Sequence, residues 1–131
     1  FDAFLIGIPL GLLTTNILFI NQFPDYNSDK KSNKINLVVI FGKKLSKWIY
    51  LINLLIIFSL TFYFFSTYSQ NLASFNYYSF YIVFSLLILY GLYNFWGLFK
   101  FYNSRNLILY NIHTIYYQIA FCFGIILILF L

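Results

Sequence analysis

Four long apolar stretches, each almost free of charge, are the feature that most constrains this chain. They run from about Phe4 to Ile20, from Trp48 to Tyr68, from Tyr77 to Phe99, and from about Ile112 to Leu131. Each is near the ~20 residues that a helix needs to cross a bilayer. Charged residues make up only 8% of the chain, against about 25% in soluble domains. The sequence therefore predicts an all-α, polytopic transmembrane helix bundle with four helices in a lipid bilayer.

The basic residues lie in alternate connections between these stretches. The second connection, Ser69 to Asn76, has no charge, and the third holds Lys100 and Arg105. The first connection holds the remaining basic residues, which are Lys30, Lys31, Lys34, Lys43, Lys44 and Lys47. This is a positive-inside pattern. It predicts an integral protein of the cytoplasmic (inner) membrane whose two basic connections face the cytoplasm. We read the net charge of +5 as part of this signal and expect no nucleic-acid partner.

Asp25 and Asp29 are unusual in a chain that has three acidic residues and no Glu. Residues four apart are neighbours on a helix, and two like charges at that spacing mildly destabilise it. The pair therefore suggests a shared cation. Mg²⁺ prefers hard oxygen ligands, often one or two carboxylates plus phosphates and water. Asn21 lies one turn before Asp25 on the same face, where its side-chain oxygen could ligate or orient. The alternative for the pair is a solvated helix end.

The residues around this pair resemble a known family. The stretch Pro9-Leu10-Gly11-Leu12-Leu13 leads into residues 16–25, and Asp29, Lys34 and Leu37-Val38-Val39-Ile40-Phe41-Gly42 follow. Over about residues 7 to 44, the chain resembles the UbiA superfamily of intramembrane prenyltransferases around its second aspartate-rich motif. Within it, the chain is most similar to the 1,4-dihydroxy-2-naphthoate polyprenyltransferase branch. Asn33 stands where these proteins usually have Gly. Because Asn tolerates a left-handed backbone better than most residues, we expect the turn to survive.

The resemblance implies a fold of nine transmembrane helices with two aspartate-rich motifs facing a central cavity. Residues 1–131 would be the C-terminal part of this single membrane-embedded domain, with the last four helices and the second motif, and the N-terminal half would be absent. The implied reaction is Mg²⁺-dependent transfer of a polyprenyl chain from its diphosphate onto an aromatic quinone precursor. The closest branch acts on 1,4-dihydroxy-2-naphthoate in menaquinone biosynthesis. Asp25 and Asp29 would be the metal-binding catalytic residues, with Lys34 and Asn21 at the diphosphate and the site facing the cytoplasm.

Several alternatives stay open at this point. The acceptor of a UbiA-type enzyme can instead be 4-hydroxybenzoate, a haem, a chlorophyll precursor or a glycerol phosphate lipid. The chain can also be a non-enzymatic membrane fragment, and we expect these 131 residues to be inactive by themselves. Lys34 can be a topology signal alone. The sequence leaves the prenyl length and the oligomeric state open.

Other polar residues lie within the apolar stretches. His113 is the only histidine, and it is either a functional group at membrane depth or an interfacial side chain. We expect Asn53, Asn94 and Gln118 to hydrogen-bond between helices. We expect Cys122, the only cysteine, to pack as a small hydrophobe.

Overall fold

The computed structural model describes residues 2–68 and 77–130, which form five helices and no strand. The helices are α1 (Asp2–Lys31), α2 (Leu37–Phe41), α3 (Lys43–Tyr68), α4 (Tyr77–Phe101) and α5 (Leu107–Phe130). Four contain segments long and apolar enough to cross a membrane, namely Ile6–Lys31, Lys43–Thr67, Tyr77–Phe101 and Leu107–Leu129. The all-α prediction with four spans is confirmed. The uncharged connection from Ser69 to Asn76 lies outside the described residues.

The helices are longer than the apolar stretches that predicted them. The first stretch was expected to end near Ile20, but α1 continues to Lys31 and passes through Pro24. A proline removes one backbone hydrogen bond from a helix, and membrane helices tolerate this where neighbouring groups satisfy the freed carbonyl. At the same end of the bundle, α3 begins at Lys43 rather than Trp48, and α5 begins at Leu107 rather than Ile112. Hydropathy marks the most apolar part of a helix, and these helices extend beyond that part.

The long helices pack around one core. The second-longest helix, α3, lies against α1 and α4, and α5 also lies against α1 and α4. Side chains with 0% exposure in this core include Phe23, Tyr50, Leu54, Tyr117 and Phe121. Gly97 of α4 lies directly against the ring of Tyr110, and small residues of this kind let membrane helices approach closely.

A tight connection links α1 to α3. Asn33 has φ 56°, in the left-handed region, which confirms the expectation for this position. Asn36 then caps α2, its side-chain oxygen accepting a hydrogen bond from the backbone N–H of Val39 at 2.9 Å. Gly42, with φ 75°, ends α2 immediately before α3. Two residues with positive φ and one short capped helix therefore make up this connection.

Polar side chains connect the helices at two of the three predicted positions. Asn53 of α3 donates to Oδ1 of Asn16 at 2.7 Å and to the backbone oxygen of Leu12 at 3.1 Å. Gln118 of α5 donates to Oγ1 of Thr14 at 2.9 Å. Asn94 is fully buried, and the bond it donates goes to the backbone of its own helix α4. Cys122 is a partly buried free thiol.

Candidate active site

Asp25 lies on a face of α1 that turns away from the other helices. Gly7, Gly11, Leu18 and Asp25 follow one another at spacings of four and seven residues, so they share one side of the helix. All four are exposed, and a Cβ added at Gly7 or Gly11 would meet nothing within 4 Å. We call this side the outward face of α1. The Asp25 carboxylate is therefore accessible from outside this four-helix packing.

Asp29 has a different environment, although it is only one turn further along. It is 7% exposed, and both carboxylate oxygens have partners. Oδ2 accepts a hydrogen bond from the side-chain amide of Asn36 at 2.7 Å, and Oδ1 lies 3.3 Å from the ammonium of Lys34. The backbone N–H of Lys34 also donates to the carbonyl of Asp29 at 2.9 Å. The left-handed turn at Asn33 brings the chain back over this aspartate.

Asn36 was missed by the sequence reasoning, although a signal for it existed. Asn immediately before an apolar run such as Leu37-Val38 is typical of a helix N-cap. The structure gives this side chain a second role, because its oxygen caps α2 while its amide holds Asp29. Both roles require the amide of Asn, since the oxygen and the nitrogen act in opposite directions.

Asn21 turns towards α5 rather than towards Asp29. Its side-chain oxygen accepts a hydrogen bond from the amide of Asn111 at 2.8 Å. Two turns deeper, Gln118 donates to Thr14 across the same helix pair. These two polar pairs lie along the seam between α1 and α5, beside the outward face. Asn111 was also missed, and its signal was the seven-residue spacing to Gln118 within an apolar helix.

The structure thus brings together two of the four predicted site residues. Lys34 contacts Asp29, but its side chain remains 63% exposed. Asn21 and Asp25 are exposed on neighbouring parts of α1. The geometry therefore presents one open carboxylate, one carboxylate held by a loop, and one accessible ammonium at the same end of a membrane helix.

Comparison with known proteins identifies the family. The model of the UbiA prenyltransferase family matches residues 1–112. The chain belongs to the UbiA prenyltransferase family. The match extends beyond the motif region to the first turns of α5. Members of this family are prenyltransferases and are generally Mg²⁺-dependent. Comparisons with curated proteins and with solved structures gave no match.

In this UbiA-family chain, the donor set fits magnesium shared with a substrate. Among residues 2–68 and 77–130 there is no group of three or more His, Cys, Asp or Glu side chains that would hold a metal by itself. Magnesium is commonly bound by one or two carboxylates together with substrate phosphates and water. Asp25 offers such a carboxylate, and a second can come from Asp29. The oxygen donors are therefore of the type that Mg²⁺ uses when a phosphorylated substrate completes its shell.

His113 lies on a different helix surface from these residues. The hydroxyl of Tyr90 on α4 is 3.3 Å from Nδ1 of His113, and the rings of Tyr93 and Tyr110 are centred 5.5 and 6.0 Å from the His113 ring. On α5, Asn111 and Gln118 instead hydrogen-bond to side chains of α1. The contacts of His113 are therefore with tyrosines of α4 and α5 rather than with Asp25 or Asp29.

Proposed function

We propose that this chain is the C-terminal part of one membrane-embedded prenyltransferase domain, which transfers a polyprenyl chain from its diphosphate to 1,4-dihydroxy-2-naphthoate in menaquinone biosynthesis. The family membership supports the prenyl transfer. The Asn21, Asp25, Asp29 and Lys34 pattern, and its similarity to the naphthoate branch, support the choice of acceptor. The observation that carries the proposal is the exposed Asp25 carboxylate, one turn from an Asp29 that the following loop holds in place.

The residues of this chain have distinct roles in the proposed reaction. The prenyl diphosphate must lose a highly charged leaving group, and bound Mg²⁺ supplies Lewis-acid stabilisation of that charge. Asp25, exposed on α1, and Asp29, held by Asn36, would supply the carboxylates that hold this metal. The ammonium of Lys34 lies 3.3 Å from Oδ1 of Asp29, and the Lys34 side chain is mostly exposed. This ammonium can therefore move towards the diphosphate and stabilise the developing charge. Asn21, fixed by Asn111, lines the same side.

The outward face of α1 gives the rest of the domain a place to pack. Gly7 and Gly11 form a small-residue pair at a spacing of four, which suits close contact between membrane helices, and the space beside them is open. In our proposal the N-terminal half, with the first aspartate motif, lies against this face and encloses Asp25. The positive-inside pattern of the basic connections supports an active site that opens to the cytoplasm of the inner membrane.

The test is prenyl transfer by the full-length protein in membranes. With Mg²⁺, a labelled polyprenyl diphosphate and 1,4-dihydroxy-2-naphthoate, we expect an EDTA-sensitive prenylated naphthoquinone precursor. Asp25→Asn or Asp29→Asn should lower turnover by about a thousandfold, the effect of removing a strong electrostatic stabiliser. Lys31→Gln, an exposed charge change on the same helix end, is the matched control and should retain most activity.

Other results of this assay would each reject a different part of the proposal. Product with 4-hydroxybenzoate but none with the naphthoate would keep the prenyl transfer and reject the proposed acceptor. Full turnover by Asp25→Asn would reject the metal site, and no transfer to any acceptor would reject the enzyme. Lys34→Gln separates its two roles, because a diphosphate contact predicts a raised KM for the polyprenyl diphosphate, whereas a topology signal alone predicts unchanged kinetics.

A further inference from the structure

A polar cavity lies on the opposite side of α1 from the aspartates. It has a volume of about 220 Å³ and lies between the end of α1, the start of α3 and the loop that joins α4 to α5. Its polar lining consists of Asn27, Lys43, Asn103, Ser104 and Arg105. A wider depression of about 530 Å³ continues from it and shares Asn27, Lys43 and Asn103. Residues from both basic connections therefore meet at one place.

The position of Asn27 separates this cavity from the candidate active site. Asn27 is two residues from Asp25 and two from Asp29, and each residue of a helix turns by about 100°. Its side chain therefore points about 160° away from either aspartate. The cavity and the aspartates use opposite sides of the same two turns of α1.

The charge in this cavity is uncompensated. No acidic side chain lines it. The ion pair between Lys34 and Asp29 is the only one in the part of the chain that the structure describes, so Lys43 and Arg105 have no carboxylate partner there. Lys43 is held by an aromatic ring instead, with its ammonium 5.6 Å from the ring centre of Tyr26. Two cationic side chains therefore face a cavity that no acidic side chain lines.

We propose that this cavity binds the phosphate of an anionic phospholipid headgroup. An ammonium, a guanidinium, two side-chain amides and a hydroxyl are donors that match phosphate oxygens, and Arg can bind them through two parallel hydrogen bonds. Basic pockets between membrane helices on the cytoplasmic side are typical sites for such headgroups.

The apolar part of the lining favours a lipid over a free phosphate ion. Leu107 and Ile108 complete the wall on the α5 side, and Ile108 is 54% exposed. Tyr102 also lines the cavity, and Tyr is enriched where membranes meet water. A polar end beside an apolar, lipid-facing wall fits a molecule with a phosphate and acyl chains. The proposal does not depend on the prenyl transfer reaction.

The test measures lipid binding by the full-length protein purified in detergent. Native mass spectrometry counts bound dioleoylphosphatidylglycerol and dioleoylphosphatidylcholine, and thermal unfolding is followed with each lipid added. We expect selective retention of phosphatidylglycerol and a raised Tm. The double variant Lys43→Gln/Arg105→Gln should bind it at least about tenfold more weakly, since each basic residue near the headgroups contributes to anionic-lipid affinity. The control Lys31→Gln/Lys100→Gln removes the same charge from exposed residues outside the cavity and should bind normally.

Three outcomes would overturn the proposal. Equal binding of the two lipids would remove the requirement for an anionic headgroup. Equal losses in the two double variants would show attraction to overall charge rather than a site. The same rise in Tm with inorganic phosphate alone would assign the cavity to a free anion. If the double variant does not fold, Arg105→Gln alone gives the answer, because Arg105 is exposed in the short α4–α5 loop.

Discussion

The loop that holds Asp29 should depend strongly on one side chain, Asn36. Asn36→Ala removes an N-cap, about 1 kcal/mol, and a hydrogen bond to a nearly buried carboxylate, about 2 kcal/mol. A loss of about 3 kcal/mol corresponds to opening about 150 times more often. The amides of Val39 and Ile40, which bond back to Asn36 at 2.9 and 3.0 Å, should therefore exchange with deuterium faster by about that factor. Hydrogen exchange followed by mass spectrometry measures this.

Two variants separate the parts of this effect. Asn36→Ser keeps an N-cap oxygen, but its side chain is too short to reach Asp29. It should therefore lose only the hydrogen bond to Asp29, which is the larger of the two contributions. Lys34→Gln should accelerate exchange by less than about fivefold, because its side chain is 63% exposed and exposed ion pairs contribute about 1 kcal/mol or less. If Asn36→Ala exchanged no faster than Lys34→Gln, the ion pair rather than the Asn36 side chain would be what holds the loop.

Three further predictions concern the folded bundle, each measured as the free energy of unfolding in an SDS titration. Gly97→Ala places a Cβ against the ring of Tyr110 and should destabilise by about 1–3 kcal/mol through overpacking; an unchanged midpoint would contradict the close approach. Gly42→Ala should cost on the order of 1–3 kcal/mol, because φ 75° with ψ 153° is strained for an L side chain; a stabilised protein would contradict this backbone. Asn53→Leu removes the bond to Asn16 and should cost about 1 kcal/mol, as polar contacts within membranes do, and a gain in stability would contradict it.

The membrane spans could be predicted because hydropathy and charge act locally. Each apolar stretch has no alternative to a helix in lipid, since every backbone group must be satisfied within the segment. The helix ends could not be predicted in this way. The polar residues from Asn21 to Lys31 continue α1 although they add little apolar character, and helix termini in general follow from capping and packing rather than from hydropathy.

The motif residues could be predicted as a group, but their separate environments could not. Spacing alone places Asp25 and Asp29 on one helix face, and the structure agrees. The left-handed turn at Asn33 decides which aspartate the loop contacts. It lets the side-chain amide of Asn36 donate a hydrogen bond to Asp29, seven residues earlier. The two basic connections were correctly placed at one end of the bundle, because Lys43 and Arg105 line one cavity. That they meet there depends on how α1, α3 and α5 pack, which charge alone does not specify.

The unlike environments of the two aspartates explain how a bare helix can carry them. Two carboxylates one turn apart repel by a few tenths of a kcal/mol, and a buried charge without a partner costs more. Lys34 and Asn36 satisfy the buried Asp29, so the pair carries one uncompensated charge rather than two. That charge is on Asp25, which has no basic partner among the described residues and is exposed on the outward face. The motif can therefore remain folded before any cation binds, and its free carboxylate lies on the side where we propose that a metal and a diphosphate bind.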